Sequence, residues 1–179
     1  ESSLPSSHLP SFDMSTKITL VSNDDQQFQV DRELLKQSGT IETLIVNMNL
    51  DDPETDASTM PIPLPNVKGE VLQAVIAWLE HHKGDPVKEG DDEDNQVEIV
   101  VPQWDQDFFK PHEYKSMLLE QTVAASYLDI KGMLTLTCKT IANTFKGKSG
   151  EEIRHAWNVP NEFTPEEEAA IKKENEWCE

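Results

Sequence analysis

The sequence predicts an α+β fold in which helices cap a small three-stranded sheet and a helical extension follows at the C-terminus. Two segments with alternating apolar residues, 17–22 and 28–30, flank the turn-forming Asn23-Asp24-Asp25, which is typical of a β-hairpin. Farther along, Ile62 and Leu64 alternate with prolines, and only an edge strand tolerates this because proline donates no backbone hydrogen bond. Beyond Gln103 the apolar residues recur at helical spacing.

Two short helices are predicted between the hairpin and the edge strand. Asp31 is a favourable N-cap for the first, which contains Leu34 and Leu35, and Gly39 is expected to end it. The second has one apolar face, formed by Ile41, Leu44, Ile45 and Met48. A long amphipathic helix from Val67 to Lys83 is then expected to pack on the sheet. Its apolar positions are Val71, Leu72, Val75, Ile76 and Leu79.

The second half predicts a short helix near 104–109, a helix from Tyr114 to Tyr127 and a long helix from Ile130 to Phe145. Cys138 lies on the apolar stripe of the long helix. A buried thiol there would behave as a small hydrophobe, so we expect no cysteine-based catalysis.

Two further helices have strongly marked starts. Ser149 with Glu152, and Thr164 with Glu167, match the capping box, in which each side chain bonds the other residue's backbone N–H. Pro165 suits the first position of the last helix.

Composition divides the chain into three parts. Residues 1–16, rich in Ser and Pro, predict a disordered tail. A folded domain is expected over 17–145, interrupted at 84–96 by an acidic segment too charged to be buried, which predicts a disordered insertion. Residues 146–179 form the C-terminal helices.

Charge and cysteine content limit the partners. With 34 acidic and 15 basic residues, the net charge of −19 disfavours nucleic acids and anionic membranes, because both require clustered Lys and Arg. No apolar run is long enough for a transmembrane helix or a secretory signal. The two cysteines form no disulfide framework. We therefore expect a soluble protein of the cytosol and nucleus.

Motifs for catalysis, metals and cofactors are incomplete. Gly147-Lys148-Ser149 resembles the end of a phosphate-binding loop, but Ala142 stands where that loop needs glycine. His81 and His82 point about 100° apart on a helix and have no third ligand at a standard spacing. The acidic run 91–94 lacks the glycine of a calcium loop. The sequence therefore predicts a non-enzyme with no cofactor or metal.

Aromatic side chains in the C-terminal half leave two interpretations open. Phe145, Trp157, Phe163 and Trp177 are spread over helices that look too short to bury them all. They either bind a partner or form a second core, and spacing alone does not decide between the two.

Several motifs in order along the chain resemble the Skp (S-phase kinase-associated protein) family, from about Lys17 to the last residue. They are Pro63-Leu64-Pro65-Asn66-Val67, His81-His82-Lys83, Val101-Pro102-Gln103-Trp104-Asp105, Tyr127-Leu128-Asp129-Ile130-Lys131-Gly132, Thr137-Cys138-Lys139-Thr140, Lys146-Gly147-Lys148, Glu151-Glu152-Ile153-Arg154 and Lys173-Glu174-Asn175-Glu176-Trp177-Cys178-Glu179. The resemblance implies a BTB/POZ-type fold with C-terminal helices that clasp an F-box. It also implies an adaptor that links F-box proteins to a cullin in an SCF ubiquitin ligase, for ubiquitin-dependent protein degradation.

The resemblance also implies which residues bind each partner. The positions that match the F-box contacts are Cys138, Ile141, Ala142, Phe145, Ile153, Trp157, Val159, Phe163 and Trp177. The cullin is expected at Thr122, Ser126 and Tyr127. Thr122 and Ser126 stand where the family usually has Ile and Asn. Pro165 matches a proline that is hydroxylated and glycosylated in some members.

Three alternatives remain. Apolar helices without a partner can pair with themselves, which would make this a homo-oligomeric structural protein, or a dimer when free. A divergent paralogue could bind F-box proteins without a cullin. An adaptor similar to elongin C would serve a different box motif, although the additional C-terminal helices argue against it.

Overall fold

The sheet has three strands in the order β2-β1-β3. In the computed structural model, β1 (Lys17–Ser22) and β2 (Gln27–Asp31) form the predicted antiparallel hairpin. β3 (Ile62–Leu64) pairs with the other side of β1 and runs parallel to it. The predicted edge strand is therefore confirmed. Pro63, which has no N–H, is tolerated there because β3 pairs with a neighbour on only one side among the described residues.

The structure describes residues 17–50, 52, 60–85, 100–109 and 115–175. The predicted disordered tail at 1–16, most of the predicted insertion at 84–96, and Trp177 and Cys178 lie outside these residues.

Eight helices are described. They are α1 (Arg32–Leu35), α2 (Gly39–Asn47), α3 (Gly69–His81), α4 (Gln103–Phe109), α5 (Lys115–Tyr127), α6 (Lys131–Phe145), α7 (Gly150–Trp157) and α8 (Pro165–Glu174). The chain divides into two compact units between Thr140 and Ile141, within α6. This division falls ahead of the predicted domain boundary at 145.

The first unit has a continuous apolar core. Strand residues Ile18 and Leu20 are buried, as are Leu35 of α1 and Ile41 and Ile45 of α2. The predicted face of α3 is confirmed at Val71, Leu72, Val75 and Leu79, whereas Ile76 is half-buried. Trp78 of α3 is also buried, and the prediction had not included it.

Gly39 begins a helix, and the prediction that it ends one was wrong. The N-cap of α2 is Ser38, whose hydroxyl accepts a hydrogen bond from Ile41 N. Gly39 takes the first helical position because space is limited there. A Cβ on Gly39 would collide with Asp129 Oδ2 and would lie 3.1 Å from Asp129 Cγ.

A buried carboxylate joins α4 to α3. Asp105 of α4 is fully buried, and its Oδ1 accepts a hydrogen bond from Trp78 Nε1 at 2.8 Å. His82 Nε2 lies 3.2 Å from the same oxygen, and the His82 ring stacks on Trp78. Asp105 Oδ2 has no hydrogen-bond partner among the described residues. Because α4 follows the long gap at 86–99, this contact fixes the place where the described chain resumes.

Candidate partner-binding surfaces

α6 buries only part of the apolar stripe predicted for it, since Leu134 and Ile141 are half-buried. Its buried residues are Met133 and Thr137, whereas Cys138 is exposed, so the expectation of a buried cysteine was wrong. Thr137 can be buried because its hydroxyl bonds within the helix, to Met133 O at 2.9 Å and Leu134 O at 3.0 Å. Adjacent helical residues point about 100° apart, so burial of Thr137 turns Cys138 toward solvent.

In the second unit, α6 and α7 are joined by a tight turn. Gly147 takes a left-handed conformation with φ of 73°, which glycine adopts without strain, and Lys148 N donates to Phe145 O. α7 then begins with the predicted Ser149–Glu152 capping box. The turn brings the rings of Phe145 and Trp157 to a centroid separation of 5.2 Å.

Polar contacts connect α7 to α8. Asn158 ends α7 in a left-handed conformation, and Glu168 Oε1 of α8 accepts hydrogen bonds from Arg154 Nη2 at 2.9 Å and Asn161 Nδ2 at 2.8 Å. α8 begins with the predicted Thr164–Glu167 capping box and has Pro165 at its first position. Local hydrogen bonds therefore define both helices.

No side chain that the structure describes between 141 and 175 is fully buried. Phe163 is 52% exposed and Val159 is 53% exposed, while Phe145 and Ala142 are also exposed. Ile141, Ile153 and Trp157 are half-buried. These described residues form no second core, which favours the partner-surface interpretation.

We call this apolar set the clasp surface. It comprises Ile141, Ala142, Phe145, Ile153, Trp157, Val159, Phe163 and Ile171. Ile171 of α8, which is exposed, was missed by the sequence reasoning. The sequence did contain a signal for this residue, because Ile171 is an isolated branched apolar residue that follows Ala169 and Ala170 in an otherwise charged helix.

One face of α5 in the first unit is also apolar and accessible. Of the residues predicted to bind a cullin, Ser126 is exposed, and Thr122 and Tyr127 are half-buried. The structure adds Leu119 and Val123, the latter 64% exposed. We call Leu119, Thr122, Val123, Ser126 and Tyr127 the α5 face. The spacing of three, four and seven residues from Leu119 was a signal available in the sequence.

The C-terminal end of α5 is fixed by the start of α2. Thr40 Oγ1 donates to Tyr127 O at 2.8 Å, and Thr40 N donates to Leu128 O. The Ser38 hydroxyl donates to the same Leu128 carbonyl, and Gly39 N donates to Asp129 O. These bonds satisfy carbonyls that a helix end otherwise leaves open and hold the α5 face in place.

Comparison with known proteins identifies the family. A family model described as "Skp1 family, tetramerisation domain" matches residues 16–84, and one described as "Skp1 family, dimerisation domain" matches residues 131–178. A "Skp1-related protein" of Caenorhabditis elegans is 46% identical over 165 residues, which cover 91% of this chain and 92% of the relative. The chain belongs to the Skp1 family. The predicted family resemblance is thereby confirmed.

Fungal relatives in the family carry more specific names. An "E3 ubiquitin ligase complex SCF subunit sconC" of Talaromyces marneffei is 44% identical over 167 residues, which cover 93% of this chain and 99% of that protein. A protein of the same name from Arthroderma benhamiae is 45% identical over 165 residues, with coverage of 91% and 95%. This Skp1-family chain thus matches those subunits along nearly their whole length.

The described parts of the chain contain neither a cluster of metal-binding side chains nor a helix that could span a membrane. There, no group of three or more His, Cys, Asp or Glu side chains is placed to share a metal ion. His82 Nδ1 instead lies 2.7 Å from Asp85 Oδ2 at the end of α3. None of the described helices is both long and apolar enough to span a bilayer.

The capping boxes of α7 and α8 predict a dependence on pH. The backbone N–H of Ser149, and then its hydroxyl, hold the pKa of Glu152 below its usual value of 4.5. The same groups of Thr164 lower the pKa of Glu167. A lowered folded-state pKa stabilises the helix starts above about pH 4.5, and this contribution is lost as the pH falls through the folded-state values. Carboxyl NMR titration should give midpoints below 4.5 for both residues.

Glu152→Gln is the matched control for this titration, because glutamine can also complete a capping box but does not ionise. In this variant the amides at the start of α7 should lose their pH dependence, while those of α8 keep it. Midpoints at or above 4.5 for Glu152 and Glu167 would contradict the prediction.

Proposed function

We propose that this Skp1-family protein is a non-catalytic adaptor of an SCF ubiquitin ligase, which binds an F-box protein through the clasp surface and a cullin through the α5 face. The observation that supports it most is the second unit, where exposed apolar residues have no buried core beneath them among the described residues. Close relatives named as SCF subunits agree with this proposal.

The clasp surface suits the recognition of a partner's helices. Amphipathic helices bind by placing a few apolar side chains in a groove, and a small number of aromatic and aliphatic anchors carry most of the binding energy. Phe163 and Val159 are exposed in the segment that links α7 to α8, while the rings of Phe145 and Trp157 lie beside each other. We propose Trp177, outside the described residues, and exposed Cys138 as further contacts.

The α5 face offers a second surface in the first unit, which mixes apolar and polar side chains. Val123 and Leu119 are exposed next to the polar Ser126 and Thr122, so a partner would bury both kinds of group there. An adaptor with two such surfaces promotes ubiquitin transfer by bringing other proteins together, which raises their effective concentration. The protein itself would contribute no catalytic group, cofactor or metal.

Self-association is a second candidate activity. The family model over residues 131–178 is described as a dimerisation domain, and those residues include most of the clasp surface. Apolar surface left open in the free protein can pair around a two-fold axis. We propose that such a dimer competes with F-box binding.

We also propose a cytosolic and nuclear location on the basis of composition alone. Hydroxylation of Pro165 is a further proposal, which the intact mass of the protein can test.

The proposal is tested by size-exclusion chromatography with light scattering on the protein mixed with an F-box domain and a cullin N-terminal domain. We expect a complex that contains one copy of each. Val123→Lys should remove the cullin domain only, because it places a charge in the α5 face. Val100→Lys, on an exposed valine outside both surfaces, should bind both partners. If neither partner binds the wild-type protein, the adaptor proposal is wrong and self-association becomes the leading account.

A further inference from the structure

An open pocket lies where the start of α2 meets the end of α5. Its lining residues are Gly39, Thr40, Thr43, Leu44 and Asp129, and its volume is about 310 Å³. Small-molecule sites usually enclose about 300–1,000 Å³ and surround their ligand. The pocket at the start of α2 lies at the lower end of this range and is open to solvent instead of surrounding a ligand. It is therefore better suited to a single long side chain.

The polar groups of the pocket are acceptors. The hydroxyl of Thr40 donates to Tyr127 O and that of Thr43 donates to Gly39 O, both at 2.8 Å, so each oxygen has only lone pairs left to offer. The exposed carboxylate of Asp129 accepts no hydrogen bond from the described residues. Ionised carboxylates are acceptors only.

The backbone donors at the start of α2 are already used. Gly39 N and Thr40 N donate to carbonyls at the end of α5, and Ile41 N and Glu42 N donate to Ser38. The helix start therefore offers no free N–H to an anion, although helix N-termini often bind anions. The pocket instead matches a ligand that brings donors and positive charge.

The absence of a side chain at Gly39 leaves room for the Asp129 carboxylate in the pocket. A side chain at this position would collide with Asp129 Oδ2, so it would displace the carboxylate and fill the floor of the pocket. Asp129 has a left-handed backbone with φ of 51°, which Asp and Asn tolerate better than most residues. Leu44 supplies an aliphatic wall suited to the methylene stem of a long cationic side chain.

We propose that this pocket, the Gly39 pocket, binds a Lys or Arg side chain of the cullin that docks on the α5 face. The inference rests on the proposed function and specifies part of that interface. Thr40 connects the two places, because it lines the pocket and bonds the carbonyl of Tyr127 in the α5 face. The net charge of −19 would also speed the approach of a basic partner.

The test compares the affinity of a cullin N-terminal domain for the wild-type protein and for Asp129→Asn, by isothermal titration calorimetry at low and high salt. Asparagine keeps the size and tolerates the backbone conformation, so only the charge is lost. We expect binding about 10-fold weaker and a smaller dependence on salt. Gly39→Ala should weaken binding similarly by displacing the carboxylate.

Asp25→Asn is the matched control. Asp25 is also an exposed aspartate with a left-handed backbone, at φ of 60° in the hairpin turn, and its substitution changes the net charge equally. It should leave the cullin affinity within about twofold, since it lies outside the pocket. All variants should bind an F-box domain as tightly as the wild type does. This binding serves as the check that each variant is folded.

Two failures are distinguishable. If the wild-type protein binds the cullin domain and Asp129→Asn binds it equally well at both salt concentrations, the pocket proposal is overturned while the adaptor function stands. If the wild-type protein does not bind the cullin domain at all, the cullin part of the proposed function falls and the pocket proposal falls with it.

Discussion

Phe163→Ala is expected to weaken binding of an F-box domain by about 2 kcal/mol, or about 30-fold, and to leave the free protein as stable as before. Phe163 lies between α7 and α8 with 52% of its surface exposed, so the free protein gains little from its ring. In the proposed complex the same ring would be buried against the partner's helices. Loss of the ring therefore removes apolar burial from the complex only.

The affinity for this comparison can be measured by calorimetry with a purified F-box domain, and the stability by urea denaturation. Val100→Ala is the control, because Val100 is also an exposed apolar residue but belongs to the first unit. It should change F-box affinity by less than about twofold, as most surface substitutions do. Unchanged affinity in Phe163→Ala would show that the clasp surface does not include this residue.

Asp105→Ala should destabilise the first unit by about 3 kcal/mol. The substitution leaves the indole N–H of Trp78, a buried residue, without an acceptor, and it also removes the oxygen that His82 approaches. A buried donor that loses its partner pays its full desolvation cost, since water cannot replace the bond. The urea concentration at the midpoint of unfolding should fall, while the slope of the unfolding free energy against urea concentration should stay unchanged.

Two neighbouring substitutions make this prediction specific. Asp105→Asn retains an oxygen that can accept from Trp78, so its loss of stability should be smaller than that of alanine. Asp107→Ala removes an exposed carboxylate from the same helix, where it bonds only Gln103 among the described contacts, and should cost less than about 0.5 kcal/mol. An Asp105→Ala protein as stable as the wild type would mean that the buried acceptor is dispensable.

The elements that local patterns specify could be predicted from the sequence. The hairpin followed from alternation around Asn23-Asp24-Asp25, and α3 from apolar residues at helical spacing, because both depend on neighbours a few positions away. The two capping boxes were also predictable, since each links residues three positions apart. The edge strand, the two short helices after the hairpin and the helices beyond Gln103 also followed from spacing, and the family resemblance then named the fold.

Contacts between distant segments could not be predicted from spacing. The acceptor for Trp78 is on α4, beyond the gap at 86–99, so no local pattern connected the two residues. Gly39 looked like a helix end because its role depends on Asp129, far along the chain. Cys138 was placed on the wrong side of α6 because hydrophobicity ranks cysteine above threonine, whereas the fold buries Thr137 and satisfies its hydroxyl within the helix.

For the candidate site, the sequence alone indicated surplus aromatic residues but not their accessibility. The resemblance named the residues of the two binding surfaces, and the structure places most of the described ones where a partner can reach them. Leu119, Val123 and Ile171 were missed, because exposure of an apolar side chain depends on what packs beside it.

The capping boxes have a consequence for the entropy of complex formation. α7 and α8 bury no side chain fully among the described residues, yet Glu152 and Glu167 hold their first turns in helical form. Nucleating a helix is its most unfavourable step, because several dihedral angles are fixed for a single hydrogen bond. A chain that has already fixed them loses less conformational freedom when a partner arrives. Glu152 and Glu167 would thus strengthen complexes formed through these helices by ordering the helix starts before the partner binds.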